Sequence, residues 1–262
     1  MWNGRVIHDV DAEAGLLILG QDITQQKQTI ERLVQSERLA AIGEAMTGLA
    51  HESRNALQRS QAYLEVLASE LEGQPEPLAQ VARLQKAQNH LHQLYEEVRQ
   101  YAAPLRPYRS TCSLERLVEE TWSNLEHVWR GRIVRLELPE EGNELRVSVD
   151  RTMMEQVFRN VLENSPAACV DPVEIGVRLE TVDGSHPRRV RLTIRDDGPG
   201  LSAEQSRRIF DPFSTTKTRG TGLGMTLSRR IVEAHGGTIA VAEGPGAAIV
   251  IELPVDERDG TL

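Results

Sequence analysis

From Asp22 to Glu70 the chain contains no proline, and Gly43 and Gly48 are its only glycines. A run this long without the usual helix breakers predicts an extended helix rather than a string of strands. Ile23, Ile30 and Leu33 start a heptad-like seam whose phase slips before Leu39, Ile42, Met46 and Leu49 take over at spacings of three, four and three. That pattern describes a coiled-coil entry feeding a longer helix that packs on another helix. Gly73-Gln74-Pro75-Glu76-Pro77 is expected to break it. Val81, Leu84, Gln88, Leu91, Tyr95 and Val98 then step through a second helix that Pro104 and Pro107 end. Two such helices form a hairpin with one apolar stripe each, which leaves part of the seam uncovered. The expectation is a dimeric four-helix bundle; the alternative is a hairpin packed on its own downstream domain.

Within the first helix, the stretch LAHESRNAL at residues 49–57 sets His51 and Glu52 side by side. At roughly 100° per residue, His51 points about 170° from the centre of the apolar stripe, into solvent. Asn55 lies about 40° from it on the same face, and Glu52 roughly 100° to the side. An exposed face that happens to carry a histidine accounts for this stretch as well as a functional site does.

The formal charge of −9 leaves no basic excess to neutralise phosphates, which argues against a nucleic-acid partner. With 39% hydrophobic and 26% charged residues the composition is that of a globular chain. The longest aliphatic run, Leu16-Leu17-Ile18-Leu19, is too short to span a bilayer, and no charged-then-apolar leader is present, so a cytoplasmic location is expected. Cys112 and Cys169 stand apart and fit reduced, structural thiols.

Residues 1–20 carry two short apolar runs separated by Asp/Gly-rich turns, a hairpin that would be marginal alone. Residues 108–262 alternate helix and strand patterns. Ser113 caps a helix bearing Leu114, Leu117, Val118, Trp122 and Leu125; strands follow at 133–138 and 145–149, a helix from about 153 to 169, and strands at 173–182 and 190–194. Short helices near 203–209 and 223–234 precede a hairpin pairing 238–242 with 247–253. This order predicts an α+β layer, a mixed sheet with helices on one side.

Four clusters in this second half carry chemistry. Asn160 and Asn164 share a helix face, and their amides can ligate Mg²⁺ or donate to phosphate. Asp196, at a strand end, offers an acceptor suited to an exocyclic amine, and Gly198 and Gly200 let backbone approach a flat ring; an ordinary Asp/Gly turn reads the same way. Phe210 and Phe213 flank Pro212 in a small hinge, followed by hydroxyls and Lys217 facing a phosphate. Gly220, Gly222, Leu223 and Gly224 lead into a helix whose free N–H groups attract anions.

In this order the clusters closely resemble the N, G1, F and G2 boxes of the ATP-binding domain of sensor histidine kinases, part of the Bergerat-fold (GHKL) group of ATPases. The resemblance spans residues 108–254. It implies an α-helical hairpin followed by an α+β sandwich of that type. The family's H-E-x-x-N pattern reads His51-Glu52-Ser53-Arg54-Asn55 here, so the resemblance implies His51 as phosphoacceptor, Glu52 as its proton partner and Asn55 as a residue supporting dephosphorylation of the regulator. It further implies ATP and Mg²⁺, the metal held by Asn160 or Asn164, the adenine amine by Asp196, and the phosphates by Lys217 with the glycine turn. The implied partners are a second copy through the hairpin and the receiver domain of a response regulator. Residues 2–27, with Trp2-Asn3-Gly4-Arg5 and Asp22-Ile23-Thr24, resemble the last strands of a PAS sensor domain. The organisation expected is therefore a PAS-like remnant at 1–22, a coiled-coil linker at 23–38, the phosphotransfer hairpin at 39–104, the catalytic domain at 108–256 and a tail at 257–262. Alternatives of the same fold are an ATP-binding scaffold and a predominantly phosphatase activity; a chaperone- or mismatch-repair-type ATPase would release free phosphate instead. Two departures stand out. Ala56 replaces a proline common in the family, which predicts a straighter helix, and Pro166 is expected to kink or end its helix early.

Overall fold

The computed structural model describes residues 2–8, 14–20, 23, 53–129, 131–138, 145–182, 188–215 and 220–255. The chain divides into two compact units, Met1–Val81 and Ala82–Leu262.

In the first unit, β1 (Trp2–His8) and β2 (Ala14–Gly20) form the expected antiparallel hairpin, with Arg5 opposite Leu17. Residues 53–70 form helix α1, which runs unbroken through Ala56. The seam from Ile30 to Leu49 and the pair His51 and Glu52 lie outside the described residues. After a turn at 71–74, helix α2 (Pro75–Ala102) begins two residues earlier than the break at Pro77 suggests. Proline is accommodated in a first turn, where its missing N–H would have had no intrahelical partner. Leu84 and Leu91, seven residues apart on α2, stay exposed at 56% and 55%.

The second unit is an α/β sandwich. Its five-stranded sheet runs β4 (Val134–Glu137), β6 (Val173–Val182), β7 (Arg189–Asp196), β9 (Ala248–Pro254), β8 (Thr238–Ala242), with β4 and β6 parallel and the other pairs antiparallel. Beside the short helix α5 (Ala203–Arg208), three helices, α3 (Leu114–Leu125), α4 (Arg151–Ala168) and α6 (Gly224–Ala234), contribute Leu114, Leu117, Phe158, Leu162 and Ile231 to one core with Ile175, Leu192, Ile194, Ile251 and Leu253 of the sheet. The period-2 alternation of β7 decides the faces. Val190, Leu192, Ile194 and Asp196 are buried in turn, while Arg191 on the outer face pairs with Glu252 at 2.7 Å and Glu180 at 3.2 Å.

Two features depart from expectation. Ser110–Ser113 forms a strand, β3, pairing with β5 (Arg146–Val149); its polar residues gave no strand signal. Helix α4 continues through Pro166 to Ala168 instead of ending early. So near a C-terminus a proline forfeits a single backbone bond, and this end is gripped from outside. Arg132 donates to the carbonyls of Pro166 and Cys169, the latter at 2.9 Å, while pairing with Asp171.

At the other end of α4, Asp150 is the N-cap. Its Oδ1 accepts from the Met153 N–H at 3.1 Å and its Oδ2 from the Tyr108 N–H at 2.9 Å. Its own N–H donates to His235 Nε2 at 2.9 Å, tying the end of α6 to the start of α4.

Candidate active site

Asp196 is the last residue of β7 and is 5% exposed. The strand alternation that buries Val190, Leu192 and Ile194 carries its carboxylate to the helix-covered face. Oδ1 accepts from the N–H groups of Gly198 at 3.1 Å and Ala247 at 2.9 Å, so the carboxylate is fixed by backbone donors from two loops. Asp197, one residue on, turns outward and accepts from the Glu174 N–H at 3.1 Å.

Close backbone approach is built into this corner. A Cβ on Gly200, whose φ is +76°, would stand 3.0 Å from the Gly246 carbonyl oxygen. One on Gly246, with φ +70°, would meet the Asp196 carbonyl at 1.7 Å. The turn between β8 and β9 is therefore part of the site, which the sequence reading missed; Gly244-Pro245-Gly246 reads as a hairpin turn and nothing in its spacing points to Asp196.

Cys169, just past α4, is the second unanticipated neighbour. A Cβ on Gly198 would fall 2.4 Å from its Sγ. Burial first, and then the negative charges of Asp196 and Asp197, push the thiol up to about 11. It is a protonated group at neutral pH, as expected for a structural thiol.

Asn160 projects from α4 toward the start of α6. Its Nδ2 donates to the Gly224 carbonyl at 2.8 Å and to Ser228 Oγ at 3.0 Å, which commits the amide nitrogen and leaves Oδ1 as the atom available to a ligand. Asn164 lies half-buried one turn further along. Gly224 opens α6, and a Cβ there would press on the Asn160 amide at 3.4 Å. Leu223, the residue before it, is buried at 1%.

Phe210 is buried beneath the Arg229 guanidinium, 4.3 Å from its ring centroid, whereas Phe213 is 68% exposed with a φ of +62°. A Cβ on Gly222, φ +70°, would come within 2.6 Å of the Phe213 carbonyl carbon and the Ser214 nitrogen. The two ends of the segment 214–221 thus lie against each other, and only glycine permits the contact. Gly220 is half-buried; Lys217 lies outside the described residues, as do His51 and Glu52. Asn55, on α1 in the other unit, is exposed. Asp196, Gly198, Gly200, Asn160 and the Gly222–Gly224 turn are accordingly brought into one unit, at the end of β7, the middle of α4 and the start of α6.

Residues 149–257 match the family described as histidine kinase-, DNA gyrase B-, and HSP90-like ATPase. Over 96% of its length the chain is 34% identical to the signal transduction histidine-protein kinase AtoS of Escherichia coli K12, of which it spans 41%. Among solved structures, full-length ShkA in complex with AMPPNP shares the fold with a TM-score of 0.65 at 24% identity, over 81% of this chain and 46% of that one. Histidine kinase ThkA in complex with response regulator protein TrrA does so with a TM-score of 0.58 at 22% identity, over 98% of this chain and 75% of that one. Residues 149–257 thus carry a domain of the histidine kinase-, DNA gyrase B-, and HSP90-like ATPase family, and along nearly its whole length the chain is similar to a signal transduction histidine-protein kinase, about two fifths of which it spans.

Proposed function

We propose that this chain autophosphorylates on His51 from Mg-ATP and passes the phosphoryl group to an aspartate in the receiver domain of a response regulator. The observation that carries the ATP half is the Asp196 carboxylate, buried at 5% yet held by two backbone N–H donors beside glycines that exclude side chains. That arrangement suits an acceptor for an exocyclic amine on a flat ring. Asn160, with its nitrogen already committed, would offer Oδ1 to Mg²⁺, with Asn164 in support. The metal would supply charge neutralisation on the phosphates. Lys217 and the N–H groups of the Gly220–Gly224 turn would orient them, with Phe210 and Phe213 anchoring the start of the segment that leads to this turn.

At His51 the neutral imidazole nitrogen would attack the γ-phosphorus in line. A phosphorus–nitrogen bond forms, the bond to the ADP oxygen breaks, ADP departs, and the ring proton passes to Glu52. Transfer to the regulator's carboxylate would follow. A homodimer through α1 and α2 fits the exposed Leu84 and Leu91 at heptad spacing. Residues 1–22 would be the end of a PAS-type sensor. Among the described residues no helix is long and apolar enough to cross a membrane; since ATP and a response regulator are the substrates, the proposal puts this region in the cytoplasm.

The test is incubation with Mg²⁺ and γ-labelled ATP. Label that resists alkali, is lost in acid and is absent from His51→Gln is the expected result. No label while ATP still binds would sink the autokinase reading. A second activity, removal of phosphate from the regulator, draws support from exposed Asn55: Asn55→Ala should then slow loss of label from phosphorylated regulator while autophosphorylation continues.

A further inference from the structure

The C-terminal turns of α2 grip the ATP-binding domain by one face. Glu97, Gln100 and Tyr101 are spaced three and four apart, so they point the same way from the helix. Gln100 Oε1 accepts from Gln156 of α4 at 2.7 Å. Arg230 of α6 donates to the carbonyls of Tyr101 and, at 3.3 Å, Ala103, and its guanidinium lies 5.3 Å from the Tyr101 ring centroid. Those bonds satisfy carbonyls left open at the end of α2, and Tyr101 and Ala102 are both 5% exposed.

Glu97 makes the third attachment, and it falls on the glycine turn itself. Its Oε2 accepts from the hydroxyl of Thr221, between Gly220 and Gly222, and its Oε1 accepts from Gln93 Nε2 at 3.1 Å. Thr221 Oγ1 in turn accepts from the Leu223 N–H at 3.2 Å, at the very start of α6. A fixed carboxylate is therefore coupled, through one hydroxyl, to the helix N-terminus that favours anions.

We infer that Glu97 is a positioning residue for this turn, an internal anion whose hold on Thr221 competes with nucleotide phosphates, so that docking of the α2 end and binding of ATP oppose each other. The inference rests on the nucleotide reading of the site. Two anionic groups cannot share the turn without repulsion, and the Thr221 hydroxyl that donates to Glu97 has no second proton for a phosphate. By reciprocity, whatever turns or withdraws the α2 face carrying Glu97, Gln100 and Tyr101 raises the affinity for ATP, and ATP loosens that face by the same factor. Motion of the helix and occupancy of the site are thereby linked through one side chain.

The test is calorimetric titration of the full chain, wild type, Glu97→Gln and Glu97→Ala, with ATP, ADP and adenosine in Mg²⁺. Removing the charge should tighten ATP by about five- to tenfold and ADP by less, with adenosine unchanged, because only phosphates meet the carboxylate. A purely structural Glu97 would instead shift all three alike or weaken them, and either result overturns the inference. Hydrogen exchange of the Gly220–Gly224 amides without nucleotide supplies a readout independent of the ATP reading. Exchange should quicken several-fold in Glu97→Ala and remain at the wild-type rate in Asp196→Asn; unchanged exchange in Glu97→Ala overturns the latch. Failure of wild type to bind any of the three ligands, with exchange still responding, would remove the nucleotide reading and with it the competition.

Discussion

Asp196 Oδ1 and the Ala247 N–H, fifty-one residues apart in the chain, are joined by a 2.9 Å hydrogen bond that seats the β8–β9 turn against the end of β7. Gly246 makes that seat possible, because any Cβ there would overlap the Asp196 carbonyl at 1.7 Å. Gly246→Ala should therefore cost more than about 2 kcal/mol of stability, through both the positive φ and the overlap. Asp196→Asn keeps an acceptor oxygen but loses its charge, and should weaken ATP roughly 10- to 100-fold while moving the melting temperature little. Titration calorimetry and thermal melts separate the two effects.

Asn160 bridges α4 to α6 through its amide nitrogen. Asn160→Asp would set a carboxylate against the Gly224 carbonyl and should destabilise by about 1–3 kcal/mol, beyond any loss of activity. Ser228→Ala removes a lesser partner and should cost about 1 kcal/mol. Urea denaturation of both variants, beside ATP binding, distinguishes the structural from the ligand-facing role of this amide.

His235 is fully buried; its Nδ1 meets the Ile231 carbonyl at 2.7 Å and its Nε2 accepts from Asp150. Burial, above all, holds its pKa below the ordinary 6.5. The unfolded chain then binds more protons than the folded one, so stability rises with pH across this window. It is fully present above about pH 6.5 and is lost as pH falls from there through the depressed folded value. The free energy of unfolding should drop between pH 7.5 and 5.5, and the drop should be smaller in His235→Asn.

The Cys169 thiol, pushed up to about 11, should resist alkylation. At pH 8 its thiolate fraction is on the order of a hundredfold below that of an ordinary cysteine near 8.5. Iodoacetamide labelling followed by mass spectrometry should show native Cys169 reacting about 100 times more slowly than in urea. Equal rates would mean that the end of α4 opens freely and that Arg132 does not hold it.

What could be read directly from the sequence was local. Alternation along 173–182 and 190–194, the helical spacing of Leu114, Leu117 and Val118, and the order of the four clusters depend on near neighbours, and the observed elements follow them within a residue or two. Asp196 at a strand end was legible for the same reason. Period-2 geometry carries it to the buried face whatever lies beyond. Tertiary structure alone decided who meets it: Ala247 and Gly246 from another hairpin, Cys169 from the end of α4, and for Asn160 the carbonyl of Gly224 sixty-four residues away. It also decided that polar Ser110–Ser113 is a strand, because β5 supplies its partners, and that Pro166 stays within a helix, because Arg132 grips the end. Periodicity follows from the sterics of adjacent residues, whereas these pairings come from closing long loops, and only the folded chain determines which groups a closed loop brings together.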